Sequence, residues 1–480
     1  MAEPEASLST RAPEALLEAA VAHRRAGEMA QAATALDAVL KAAPRHPVPL
    51  RLRAEIALER CEADALARFD TALAADPGNP ALHLGKAQAL ELAGDRRGAR
   101  IVAQQIAAQA PGFIPALTYL SGLLLASGEE DFTAPFALAA RRAPGDPNIA
   151  AAHCDALAGI ERFAKAAEVA AQARARFAGE PYFALLEAIH AGSAGDWSRA
   201  DAIYAALTLP SLQRWLAEAR HRLRARDLAA AQELLTRALA QQPKDIAAWA
   251  LQDIAWRIAD KPETRQRSHW LHDQEGLVRL LPLGDGRDDL LAAARERLDV
   301  LHEAAGMPLS QSLRGGSQTR GILFYRPDPV LERLHRQILA TLDTYRAGLP
   351  PADPAHPLLA ERATPWRLAG SWSVRLAAGG DCHAAHIHPA GLVSSALYVT
   401  LPGAVAGDAR EGWLELGRPP RDLGLDLEPL AVIEPVEGHL ALFPSTLYHS
   451  TTPFAHAPSG AGGQKRMTVA FDVITKQHHV

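Results

Sequence analysis

Residues 371–400, SWSVRLAAGGDCHAAHIHPAGLVSSALYVT, decide how the C-terminal half of this 480-residue chain is read. Three histidines, His383, His386 and His388, fall within six residues, and the last two are spaced i and i+2. Alternate residues of an extended strand face the same side, so His386 and His388 point together, as metal ligands on a strand do. Further on, His449 in FPSTLYHS and Arg466 in QKRMTVAFDV complete the pattern of a mononuclear iron site with an organic cosubstrate.

Around this stretch, five runs read as strands: WSVRLAA from Trp372, CHAAHIH from Cys382, SSALYVTL from Ser394, GHLALFP from Gly438 and RMTVAFDV from Arg466. Short strands at this density, preceded by helices that cover one face, predict a double-sheet jelly roll. Alternation within the runs separates a packing face from a polar one. Arg466, Thr468, Ala470 and Asp472 oppose Met467, Val469, Phe471 and Val473. Ser394, Ala396, Tyr398 and Thr400 oppose Leu397, Val399 and Leu401. His383 falls on the face opposite His386 if CHAAHIH is one continuous strand. Cys382 has no CxxC partner and reads as a bystander. The span between His449 and Arg466 contains AHAPSGAGGQ, a small-residue loop of the kind inserted between strands.

Upstream, residues 257–365 read as a connector that supports this domain, which itself spans 366–476. The connector holds a covering strand near LVRLLPL and two helices, DDLLAAARERLDVLHEAAG and DPVLERLHRQILATLDTYRAG. The second opens with Asp328 as N-cap and Pro329 at the first helical position. Between them Gln311, Ser312, Arg314, Gly315, Gly316 and Gln318 form a polar, glycine-rich cluster suited to a loop that approaches a ligand closely.

The N-terminal half repeats. Helical segments end at Pro44, Pro77, Pro111 and Pro144, then at Pro210 and Pro243, in steps of 33 or 34 residues with one interval doubled. Two helical patterns joined by a short turn lie between the prolines: AGEMAQAA, AGDRRGA, AGDWSRA and RARDLAAA mark the turns. Residues 12–256 resemble the tetratricopeptide repeat in six or seven degenerate units, with alanine and leucine replacing most aromatic markers. Such a solenoid stacks its units and leaves a groove that takes a protein or peptide. The fold expectation is therefore a multidomain α + β chain: a disordered terminus over 1–11, an α-solenoid, and a C-terminal jelly roll with covering helices.

Composition narrows the partners. A formal net charge of −5 without a Lys/Arg-dense run argues against nucleic acid. The N-terminus has no basic-apolar leader pattern, and no segment is apolar for the ~18 residues of a membrane span. With three scattered cysteines, Cys61, Cys154 and Cys382, this reads as a cytoplasmic protein with free thiols. Association of copies into a homo-oligomer stays open.

The fragments SWSV, HIHP, SSALY, GHLALFPSTLYH and RMTVAFDV, in this order and together with QSLRGGSQT, resemble the bacterial 2-oxoglutarate and Fe(II)-dependent oxygenases in which such a domain follows tetratricopeptide repeats. The resemblance covers most of 261–475. It implies a dioxygenase using Fe(II), 2-oxoglutarate and O2 to hydroxylate a protein or peptide held by the repeats. His386, His388 and His449 would hold the iron, and Arg466, assisted by Thr468 and Tyr398, the 2-oxoglutarate. His388 stands where many relatives of the wider superfamily have aspartate, so Asp381, Asp408 and His383 stay open as further ligand candidates. Gln311, Arg314, Gln318, Trp372 and Ser394 are candidates for substrate contact. Two other readings compete: a non-catalytic repeat scaffold with a degenerate jelly roll, and a cupin-like metalloenzyme that does not use 2-oxoglutarate.

Overall fold

Fifteen α-helices, from α1 (Pro13–Arg25) to α15 (Ile246–Ala259), occupy the first half of the computed structural model, which describes residues 13–303, 313–376, 381–402, 410–453 and 465–475. The terminus 1–11, Gln311, Ser312, Asp408 and the loop 455–464 lie outside the described residues.

The repeat turns form for local reasons. Gly27, Gly94 and Gly195 sit at φ of +78°, +91° and +88°, a region strained for any side chain. Asp95, Asp196 and Asp227 then cap the next helix, their carboxylates accepting from the N–H groups of Gly98, Arg199 and Ala230. The doubled proline interval is filled by a helix pair, α9 (Pro147–Ala158) and α10 (Phe163–Arg176), whose end carries Phe177, Ala178 and Gly179 instead of proline. Close helix approach explains the missing aromatic markers. A Cβ on Gly85 would lie 2.2 Å from the ring of Phe69, and Ala54, Ala57 and Ala87 are fully buried.

The described residues divide into two compact units, one within 13–149 and 320–332, the other within 150–319 and 333–475. In the first, Tyr325 packs against the core of the first helices, and Arg320 pairs with Glu91 at 2.8 Å. Residues 320–332, read from sequence as part of the connector, thus belong with repeat helices. In the second, repeat helices α10 to α15 share one unit with all the strands.

Among its described residues that second unit holds three antiparallel sheets. Eleven strands run in chain order: β1 (Arg279–Pro282), β2 (Leu313–Arg314), β3 (Ser317–Gln318), β4 (Trp366–Leu376), β5 (Cys382–His383), β6 (Val393–Thr400), β7 (Leu414–Leu416), β8 (Ala431–Ile433), β9 (His439–Pro444), β10 (His449–Thr451) and β11 (Arg466–Thr475). The main sheet has the order β1-β9-β6-β11-β4-β3, and β10-β7-β8 and β2-β5 form the other two. Tyr398, Ala441 and Phe443 of the main sheet share a buried cluster with Leu414 and Leu416 of the second, the layered core of a jelly roll. The CHAAHIH run is not one strand. Only Cys382 and His383 are paired as strand, with β2, and the chain then bends before an isolated bridge at His386. The expected connector helices are present as α17 (Arg287–Glu303) and α18 (Pro329–Ala347), with α16 (Pro262–Ser268) before them. Asp328 accepts from the N–H groups of Val330 and Leu331 as the predicted cap.

Two buried histidines tie stability to pH. His356 accepts at Nδ1 from the N–H groups of Leu358 and Leu359, which only a neutral ring can do. His302 shares its two nitrogens with the hydroxyls of Ser317 and Ser373. Burial pushes each down to about 4 from the ordinary 6.5. Between those values the unfolded chain binds protons that the folded chain refuses, so stability is full above pH 6.5 and falls as pH drops toward 4. A urea unfolding free energy lower at pH 5 than at pH 7, by ~2 kcal/mol per histidine, is expected. Equal stability at the two pH values would contradict it.

Candidate metal centre

The two remote segments meet through their backbones. His386 and His449 exchange both main-chain hydrogen bonds, at 3.1 and 2.9 Å, as an isolated antiparallel bridge. This sets their side chains next to each other, with ring centroids 4.1 Å apart. His388, two residues on, shares the face: its centroid lies 5.0 Å from His386 and 5.1 Å from His449. One ligand atom from each of the three lies within 4.8 Å of the others, the sole such cluster of histidine, cysteine and carboxylate groups among the described residues.

The outer nitrogen of every ring faces an oxygen. Nδ1 of His386 lies 2.8 Å from the carbonyl of Ala384, Nδ1 of His449 3.2 Å from that of Leu447, and Nδ1 of His388 3.0 Å from a carboxylate oxygen of Asp472. These oxygens only accept, so each Nδ1 donates, and in the neutral ring each Nε2 keeps a lone pair. Nε2 of His386 and Nε2 of His388 are 3.1 Å apart, so with both rings neutral two lone pairs face each other. A shared cation removes that repulsion. Two cis ligands ~2.1 Å from one ion are themselves ~3.0 Å apart, so the spacing fits. Burial, then the neighbouring imidazoles, push His386 down to about 3 and hold His449 well below the usual imidazole range, which keeps both rings in the ligating form.

These rings line a cavity of about 730 Å³. Arg466, Thr468, Ala470 and Asp472 of β11 all face it, the period-two face expected from RMTVAFDV. Arg466 is 2 % exposed, and no carboxylate pairs with it among the described residues. Its guanidinium lies 5.2 Å from the ring centre of Tyr398, and Nε of Arg466 has no hydrogen-bond partner among the described residues. Burial pushes the guanidinium pKa down, partly offset by the phenol. A buried cation without a counter-charge costs several kcal/mol, which an anion entering the cavity would offset.

The remaining candidates divide. Trp372, Arg314 and Gln318 line the cavity, and Trp372 stacks on His388 at 5.8 Å and 10°. Ser394 does not line it; its hydroxyl is engaged with Ser445 at 2.9 Å, and the neighbouring Ser395 takes its place in the wall. The parity argument for His383 fails because the strand breaks after it: the ring lines the cavity and stacks on His386 at 5.9 Å, outside the three-histidine cluster. Asp381 packs against Gly315, away from the cavity wall. Gln311 and Asp408 lie outside the described residues. Sequence reasoning placed Asp472 on the Arg466 face without giving it a role. The missed signal was that parity, since a carboxylate on the face of a metal site is a natural partner for a ligand's second nitrogen.

Residues 370–472 match the family model described as "Putative 2OG-Fe(II) oxygenase", and residues 63–131 match the tetratricopeptide repeat. This part of the chain is thus similar to the 2OG-Fe(II) oxygenase domain family. The cofactors of the oxygenase family, Fe(II), 2-oxoglutarate and O2, are those named from the sequence. Similar solved structures include a tetratricopeptide repeat protein from Parabacteroides merdae (14% identity, 51% of this chain and 98% of that one, TM-score 0.32). HygX from Streptomyces hygroscopicus, solved with nickel and 2-oxoglutarate bound, is another (13% identity, 44% and 86% coverage, TM-score 0.29). No curated protein matches the chain. No helix among the described residues is long and apolar enough to cross a membrane.

Proposed function

We propose that this protein is a 2-oxoglutarate- and Fe(II)-dependent dioxygenase that hydroxylates a residue of a protein or peptide brought to it by the repeats. One observation carries the reading: three imidazoles converge on a cavity whose wall holds a buried guanidinium with no carboxylate partner among the described residues. His386, His388 and His449 hold the iron. Arg466 binds the distal carboxylate of 2-oxoglutarate through a planar fork, Thr468 adds a hydroxyl beside it, and Tyr398 braces the guanidinium face. When bound, the iron supplies oxidative chemistry: 2-oxoglutarate loses CO2 to become succinate, which takes one oxygen atom of O2, and the other oxygen enters a substrate C–H bond.

The chain's own part is to hold and enclose. Trp372, Leu414 and Phe443 make the cavity walls apolar around the imidazoles and limit water there. Glu161 and Phe163, from the turn and first residue of α10, also line the cavity, and Glu161 pairs with Arg314 of β2. Repeat residues in the cavity lining support a macromolecular substrate rather than a small one. Anaerobically purified protein given Fe(II), 2-oxoglutarate and O2 should release succinate. Substrate crosslinked to the full chain should carry an added mass of ~16 Da, one oxygen atom. Protein that binds metal and 2-oxoglutarate yet never releases succinate would end this reading.

Asp472 has a separable role. Its carboxylate receives the Nδ1 proton of His388 and fixes that ring's tautomer. Asp472→Ala is expected to weaken Co(II) binding by about 10–100-fold, whereas Asp472→Asn, whose amide oxygen still accepts, should lose less. Equal affinities for all three proteins in an anaerobic titration would exclude it.

A further inference from the structure

The segments that carry the three histidines have a second face. On an extended backbone neighbours point to opposite sides, which turns Tyr448 away from His449, while Ile387, which also borders the cavity, packs toward the same helices as Tyr448. Both enter one apolar cluster, formed by Leu223 of α13 (Leu212–Arg224), Leu234 and Leu235 of α14 (Leu228–Gln241) and Leu251 and Ile254 of α15. These are helices of the repeat array, not of the sheet domain. Polar contacts reinforce the seat. Arg220 of α13 donates from Nη1 to the Tyr448 hydroxyl at 3.1 Å, and its other two nitrogens grip the Asp422 carboxylate at 3.0 and 2.6 Å. Arg224 holds the same carboxylate at 2.6 Å. From α15, Arg257 donates to the carbonyls of Gly417 and Glu428. The amide of Gly417 in turn donates to the carbonyl of Tyr448 at 2.6 Å. The residue before His449 is therefore held at its hydroxyl by one repeat helix and at its backbone by a turn that another repeat helix grips.

We propose that the last repeat helices are part of the metal centre's scaffold, with Arg220, acting through Tyr448, as a positioning residue for His449. This rests on reading the three histidines as a metal site. Ligand nitrogens must stay within a few tenths of an ångström of their productive places, and those places follow the backbone that Ile387 and Tyr448 pin. Arg220 also lines the cavity, so the residue that seats Tyr448 borders the space the three imidazoles face.

Metal-stripped full-length protein, titrated anaerobically with Co(II) alone and followed by its visible absorption, tests both levels. One Co(II) bound by the wild-type chain and none by His386→Ala supports the underlying site; no Co(II) bound by the wild type would remove that site and the inference with it. Given binding, Tyr448→Phe, which removes only the hydroxyl, and Arg220→Met should each raise the Co(II) dissociation constant about 10-fold and shift the absorption bands. Their unfolding temperatures should stay within about 2 °C of wild type. Arg220→Lys, which keeps a donor, should recover part of the affinity. Unchanged affinity and bands in Tyr448→Phe and Arg220→Met would overturn the proposal. So would affinity that falls only in step with unfolding temperature while the bands keep their shape.

Discussion

His449→Ala is expected to lose metal and turnover together, with Co(II) or Fe(II) affinity falling roughly 10³-fold and succinate release dropping to background. A metal held by three imidazoles draws a comparable share of its binding free energy from each, and losing one share is worth several kcal/mol. The fold should survive. The bridge between His386 and His449 is made by main-chain groups, the 3.1 and 2.9 Å hydrogen bonds, and alanine keeps both. His383→Ala makes the contrast informative. That ring lies on the same cavity and 5.9 Å from His386, yet outside the convergent set, so most metal affinity should remain. Tight metal binding by His449→Ala, measured by anaerobic titration, would remove the basis for the site.

Much of this was legible in the chain because strand parity carries side-chain direction. RMTVAFDV announces a face bearing Arg466, Thr468, Ala470 and Asp472, and all four line the cavity. The i, i+2 spacing of His386 and His388 survives even though regular pairing stops at His383, because the backbone is still extended where it bridges to His449. What parity cannot do is cross a break. Parity places His383 opposite His386 only in a continuous strand, a condition the break after His383 removes, and the short strands β7, β8 and β10 leave no mark in the sequence, since three-residue segments carry too little periodicity to register. Ser394 shows a different limit: the alternation is right, but β11 shifts register against β4 at Asp472/Val473, opposite Ser394, whose hydroxyl turns to Ser445.

The repeats were legible by period, and the physical basis of their degeneracy emerges from packing. A glycine against the Phe69 ring and alanines with no exposed surface let helices approach where aromatic markers usually fill space. The sequence held no sign that α13 to α15 would seat the ligand segments. Arg220 and Asp422 are 202 residues apart, and a hydrophobic Ile387 between two histidines reads as an ordinary strand residue until its partners are known.

Arg466→Met should abolish saturation with 2-oxoglutarate while leaving metal affinity near wild type. The guanidinium is buried, lies over the Tyr398 ring at 5.2 Å and has no carboxylate partner among the described residues, so its charge awaits an anion. Breaking a buried charge pair costs ~3–5 kcal/mol, which corresponds to a loss of about 10²–10³-fold in affinity for the cosubstrate. Arg466→Lys should recover only part, because a point charge cannot make the paired hydrogen bonds of the fork. The stability of the unliganded chain moves the other way: methionine removes an uncompensated buried charge, and Arg466→Met is expected to be as stable as wild type or more so, by ~1–3 kcal/mol in urea. The opposite signs separate a residue kept for a ligand from one kept for the fold. They also separate the dioxygenase reading from a metalloenzyme indifferent to keto acids, which predicts that Arg466→Met turns over as wild type does. Cosubstrate affinity and unfolding free energy that fall together would mean the guanidinium serves the sheet, and the 2-oxoglutarate assignment would fail.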